Sequence, residues 1–288
     1  MNLHKQILSL FFGLLLNFTF AQNKSIEQLT AECDKLLSEQ FKSDEPGATA
    51  LIVRQGQIIY NKAFGMASLE LSVPLQTDHV FRIGSITKQF TAIAILQLME
   101  QGKLNLADEI TKYIPDYPTN GNKITIEHLL THTSGITNFT SIKDTIKRGT
   151  LDFTPIQMID YFKKQPLRFA PGTKWEYSNT GYFLLGYIIE KITGKSYREY
   201  LEENFFKPLG MTNSFYADDT RLIKKRTGAY SKKDEFFENA KPINMTQVFS
   251  AGAIQTTTED LYKWQQAVLA CKLVKKETLD KALTRYKL

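Results

Sequence analysis

Cysteine is scarce: only Cys33 and Cys271 occur in the 288 residues. Two thiols do not make a disulfide framework, so a small cross-linked scaffold is ruled against. A single Cys33–Cys271 bridge stays open, as does a reading of each as a small buried side chain. Histidine is nearly as rare, with His4, His79, His128 and His132. No Cys/His spacing suits zinc and no His-Glu-x-x-His occurs, which argues against a zinc hydrolase. There is no Gly-x-Ser-x-Gly, so the nucleophile elbow of α/β hydrolases is missing. No internal repeat or low-complexity tract is present, which argues against a solenoid. Charge of one sign is not concentrated either. Lys224-Lys225-Arg226 and Lys232-Lys233 cluster within a formal charge of +6, but Asp234 and Glu235 follow at once. A solvated loop explains that patch better than nucleic-acid binding. Beyond the first 21 residues no apolar stretch is long enough to cross a bilayer.

Those 21 residues differ from the rest. Lys5 gives a positive start, Ile7 to Leu16 form an apolar run, and Thr19-Phe20-Ala21 offers a cleavage site. The run is shorter than the roughly 20 residues of a spanning helix. The layout is that of a signal peptide over residues 1–21, which implies a periplasmic or secreted protein with no stable membrane insertion after cleavage. No cysteine near the site would carry a lipid.

The mature part opens with an amphipathic helix over 26–42 within a lead-in of residues 22–46. Pro46-Gly47 ends it. Ala48 to Val53 and Ile58 to Phe64 flank Gln55-Gly56-Gln57, a hairpin signal. From Ile86 to Gln101 apolar side chains cover nearly every face, which marks a buried helix, with Gly102 as its stop. The middle of the chain, Asp108 to Thr212, reads as helices and loops punctuated by proline. Thr125 caps a helix running to Leu130. Asn179 caps another that Gly194 ends. Thr258-Glu259-Asp260 opens a last helix through Ala270. Two strands alone are marginal, so the hairpin needs further strands after the helical region, and few are visible there.

Ser85-Ile86-Thr87-Lys88 sets a hydroxyl and an amine one helical turn apart, on one face. A Ser hydroxyl needs a base to become a nucleophile. A lysine can serve when burial lowers its pKa, and the helix around Lys88 is apolar. In Tyr177-Ser178-Asn179 the first and third side chains point the same way if the segment is extended. A phenol and a carboxamide would then face Ser85, and a phenolate beside Lys88 would be a competent general base. His132 invites a Ser-His-Asp reading, but Leu129 to Gly135 looks like a helix end with Ser134-Gly135 turning the chain. The expectation for His132 is a structural role.

The ordered set of segments resembles the serine β-lactamase and penicillin-recognising family, in its class C-like branch with related esterases and D-amino-acid peptidases. The segments are Phe81 to Lys88, Leu129 to Gly135, Pro171-Gly172-Thr173, Trp175 to Asn179, Pro208 to Thr212 and Ser250-Ala251-Gly252-Ala253. The resemblance covers residues 47–288. It implies an α+β fold, an antiparallel sheet flanked by helices with a large helical insertion. It also implies that Ser85 is acylated by an amide or ester (a β-lactam, a D-alanyl peptide or a small ester) and then released by water. Lys88, Tyr177 and Asn179 would complete the catalytic set, and Ser85, Asn179, Gly252 and Ala253 would contact substrate. No metal or organic cofactor is implied, and the partner is a small-molecule or peptide substrate. The family's third motif, Lys-Thr-Gly or His-x-Gly, should follow Ser250 to Ala253, and nothing after Ile254 fits. The expectation is therefore a C-terminally incomplete copy lacking the last strands. A non-catalytic binding or regulatory protein with this fold, or an inactive copy, is the alternative. Oligomeric state is not legible.

Overall fold

The computed structural model describes residues 25–143, 151–217, 220–286 and 288. The expected signal peptide over 1–21 lies outside the described residues. Helix α1 (Ile26–Gln40) starts at a capping box in which Ser25 and Gln28 satisfy each other's backbone N–H groups. Strands β1 (Ala48–Arg54) and β2 (Gln57–Phe64) form the expected hairpin, paired from Ala48 with Phe64 to Arg54 with Gln57. Its turn residues Gln55 and Gly56 both have positive φ, which matches the right-handed twist of the flanking strands. Asp34 of α1 ties the helix to β2. It accepts from the Tyr60 hydroxyl at 2.7 Å and pairs with Lys62 at 2.6 Å.

The remaining strands are short: β3 (Met66–Ser68), β4 (Val73–Pro74), β5 (Phe81–Arg82), β6 (Phe215–Tyr216), β7 (Tyr230–Lys233), β8 (Phe236–Asn239) and β9 (Ile254–Thr256). Among the described residues the strand pairs are all antiparallel, in four small sheets: β1-β2, β3-β4, β5-β9-β6 and β7-β8. The α+β class holds, and strands do return after the helical region. The loop read around Lys232-Lys233 is a hairpin, β7-β8, turning at Asp234 with φ +53°. Its strands carry Lys, Ser, Glu and Asn on open faces, so no apolar alternation announces them.

The helices build the core. They are α2 (Thr87–Glu100), α3 (Ile126–Leu130), α4 (Pro155–Phe162), α5 (Asn179–Thr193), α6 (Tyr197–Leu201), α7 (Met245–Val248), α8 (Thr258–Leu269) and α9 (Lys276–Leu283). Phe90, Ile93, Ala94, Ile95 and Leu98 of α2 are buried, as the all-round apolar pattern requires. Phe183, Leu184, Leu185, Ile188 and Ile189 of α5 are fully buried beside them. Gly194 ends α5 in the left-handed conformation at φ +68°. The helix cap differs from expectation: Ser178, not Asn179, is the N-cap, its Oγ accepting the Gly181 N–H at 3.3 Å. A serine oxygen reaches that N–H with one fewer bond, which leaves the Asn179 carboxamide for another partner.

Candidate active site

Ser85 sits in a tight helical turn, Gly84–Ile86, that leads directly into α2. Gly84 takes φ +50° there and swings the chain from β5 into the helix. Ser85 is exposed, while Lys88, one turn on, is 7% exposed. Three polar residues of the first α2 turns, Thr87, Lys88 and Thr91, hold the segment 250–254. Thr87 Oγ1 accepts the Ile254 N–H at 3.1 Å, Lys88 Nζ donates to the Ala251 carbonyl at 2.8 Å, and Thr91 Oγ1 donates to the Ser250 carbonyl at 2.7 Å. Lys88 Nζ also donates to Asn179 Oδ1 at 2.8 Å and to Ser85 Oγ at 3.2 Å. An ammonium has three N–H donors, and all three have acceptors. Burial nevertheless pushes the Lys88 pKa down, and the Tyr177 hydroxyl pulls part of that back.

Tyr177 Oη lies 2.6 Å from Ser85 Oγ, and Lys88 Nζ stands 4.8 Å from the Tyr177 ring centre. Since Lys88 donates to Ser85 Oγ, the serine proton is free to point at Tyr177. The stretch that aims Tyr177 is held by His132. The His132 carbonyl accepts the Glu176 N–H at 3.0 Å and its Nδ1 accepts the Ser178 N–H at 3.2 Å. Its ring packs on Tyr177 and Tyr182, with centroids 4.7 and 5.1 Å apart. His132 itself has φ +60°, a left-handed turn residue just after α3. It touches neither Ser85 nor Lys88 by hydrogen bond, so the role is structural.

That role has a pH signature. Burial, with Lys88 nearby, pushes the His132 pKa down to about 4. The native ring therefore stays neutral while the unfolded ring protonates below its ordinary value near 6.5. The unfolded state then binds more protons, so this contribution to stability is full above pH 6.5 and is lost as pH falls toward 4. With the ring partly exposed, roughly 2 kcal/mol is expected across that window. Asparagine tolerates the left-handed conformation and keeps an acceptor. In His132→Asn, unfolding free energy measured by urea from pH 7 to 4 should lose that slope; an unchanged slope would assign the acid sensitivity elsewhere.

A cleft of about 280 Å³ opens beside Ser85, lined by Phe139, Ile243, Met245, Val248 and Gly252 together with Asn179 and Arg82. Gly252 lines this cleft. Ala253 does not: it is fully buried, its N–H given to Phe249 and its carbonyl accepting from Ala217. The short β9 that it leads into turns that side chain toward the core. Two larger clefts, of about 420 and 320 Å³, lie elsewhere and hold no hydroxyl–amine pair. The sequence also hid functional parts. The Ala251 carbonyl is backbone, which no side-chain pattern reveals. Phe249, two residues before it, has φ +42° and ψ −131°, a conformation costing of order 1–3 kcal/mol for a non-glycine residue.

A profile described as Beta-lactamase matches residues 26–287. PbpX of Bacillus subtilis, named for penicillin binding, is 35% identical over 265 residues, covering 91% of this chain and 65% of its own length. This chain spans less than two thirds of the curated relatives it matches, 65% of PbpX and 47% of protein flp of Staphylococcus aureus. Among solved structures, a D-stereospecific amidohydrolase from Streptomyces sp. superposes with TM-score 0.77 at 26% identity, covering 89% of this chain and 78% of that one. The penicillin-binding protein of Bacillus halodurans gives TM-score 0.76 at 28% identity, with 88% and 78% covered.

Proposed function

The chain belongs to the beta-lactamase family, whose members are serine hydrolases, and from that premise we propose that it hydrolyses an amide or ester through an acyl-enzyme on Ser85. The observation that carries this is the 2.6 Å contact of Ser85 Oγ with Tyr177 Oη beside a buried lysine that donates to the same serine oxygen. Acting as a phenolate that the Lys88 ammonium stabilises, Tyr177 takes the Ser85 proton as Oγ attacks the carbonyl carbon, and it becomes a neutral phenol while the negative charge passes to the carbonyl oxygen. The carbonyl oxygen becomes an oxyanion near the start of the turn, where backbone N–H groups lack helical partners. Tyr177 then returns the proton to the leaving amine or alcohol. A water attacks the ester by the same route and frees Ser85. Asn179 holds Lys88 through its Oδ1 and lines the cleft beside Ser85.

The walls of the cleft favour a substrate with an apolar side chain on its acyl part. Gly252 leaves room there that its backbone does not demand: its φ is −169°, and an added Cβ would meet nothing closer than 3.5 Å. β-Lactams, D-alanyl peptides and small esters all remain within this chemistry. The leader-like residues 1–21 support export, and placement outside the cytoplasm is part of the same proposal.

The test is a fluorophosphonate probe on purified protein. A covalent adduct mapped to Ser85 by peptide mass, and absent from Ser85→Ala, is the expected result. Labelling elsewhere only, or none under conditions that label the Bacillus halodurans relative, would overturn the reading.

A further inference from the structure

Phe249, two residues before the Ala251 carbonyl that Lys88 binds, has a strained backbone and a side chain locked in place. Its ring, 4% exposed, sits among Phe183, Tyr197 and Tyr216 at centroid distances of 4.9, 5.3 and 6.3 Å. The next residue, Ser250, donates from Oγ to the Tyr182 carbonyl of α5 at 2.8 Å. That approach exists only because residue 186 is glycine. A Cβ there would lie 2.1 Å from Ser250 Oγ and 2.8 Å from the Phe249 ring. Beyond these anchors the chain must turn sharply to set the Ala251 carbonyl on Lys88 Nζ and Gly252 beside Ser85. A positive φ at Phe249 makes that turn. Glycine would adopt it freely, but a glycine would also leave it freely.

We propose that Phe249 is a positioning residue: its caged ring holds a strained turn that presents the Ala251 carbonyl as the third acceptor of Lys88. The residue acts through Lys88 and touches no substrate. It rests on the hydrolase reading only for its consequence in catalysis, since the effect on Lys88 exists in the resting protein. The other groups facing Lys88 are Tyr177 from the segment before α5, Tyr182 from α5, His132 from the turn after α3, Asn179 and Ser85. None of them is among the rings that cage Phe249. Loss of an acceptor disfavours the ammonium form, so the Lys88 midpoint must fall. Removing one charge-assisted bond predicts a drop of about one pH unit.

The test reads Lys88 directly, by its ¹³Cε shift against pH in protein labelled at lysine, the signal being assigned by its absence in Lys88→Met. In Phe249→Gly the midpoint should fall by about one pH unit, and in Phe249→Leu, which keeps most of the buried volume and so folds, by part of that. Cooperative melting checks that each variant is folded. Labelling of Ser85 should slow in the same order. A wild-type midpoint in folded Phe249→Leu and Phe249→Gly overturns the proposal, and in Phe249→Leu alone if the glycine variant does not fold. A shifted midpoint with no Ser85 labelling in any variant would leave Phe249 in place and sink the hydrolase reading instead.

Discussion

Replacing Lys88 by methionine should slow fluorophosphonate labelling of Ser85 by about 10³-fold, within the range by which a positioned acid–base group accelerates reaction. The protein should nonetheless stay folded. Lys88 is buried at the start of α2, and that burial pushes its pKa down because it penalises the charged form. Methionine has similar length, good helix propensity and no charge to desolvate. The substitution strands two acceptors, Asn179 Oδ1 and the Ala251 carbonyl, which opposes that gain. A melting temperature within a few degrees of wild type is therefore expected, with activity and stability uncoupled. A labelling rate within tenfold of wild type would remove Lys88 from the mechanism. An unfolded variant would show that its hydrogen bonds hold the 250–254 segment in place.

The contrast between Lys88 and its neighbours explains what could be read in advance. Ser85 and Lys88 were legible because a helix places residues three apart on one face, and α2 is a helix from Thr87 on. Tyr177 and Asn179 were legible through the order of segments around them, while their geometry depends on contacts no spacing encodes. His132 aims the loop through its backbone carbonyl and ring nitrogen, and Asn138 Oδ1 accepts the Asn179 N–H at 3.2 Å. The cap was misread because Asn and Ser both cap well and stand side by side; the free choice went to Ser178. The long hairpin β1-β2 was visible from its apolar runs and Gly56. Strands of two or three residues, such as β5, β6 and β9, are too short to show a period of two. Phe249 was invisible for a different reason. Strain at a bulky residue contradicts local preference, and only the tertiary cage around its ring makes the conformation hold.

A large effect on stability is expected at Gly135. It follows Ser134 in the turn after α3 and has φ +73°, a region that costs any side chain. Space is the greater obstacle: a Cβ at residue 135 would lie 2.0 Å from the Phe169 carbonyl oxygen and 3.1 Å from its carbon. Both atoms are backbone, so no rotamer change relieves the contact. The Gly135 carbonyl also accepts the Arg168 N–H at 2.8 Å, which fixes the two strands of chain at that approach. The same neighbourhood carries the site. The Gly172 N–H is given to the Thr133 carbonyl at 2.8 Å, and the Glu176 N–H to His132, so the loop bearing Tyr177 is laid down against this turn. Gly135→Ala should therefore cost about 4 kcal/mol or more, in the class of the most damaging single substitutions. Calorimetry would register this as a large fall in melting temperature, and Ser85 labelling at a temperature where the variant is still folded should fall with it. A melting temperature within two or three degrees of wild type would mean that the chain between Phe169 and Asn179 gives way easily, and that Tyr177 is aimed by some contact other than this turn.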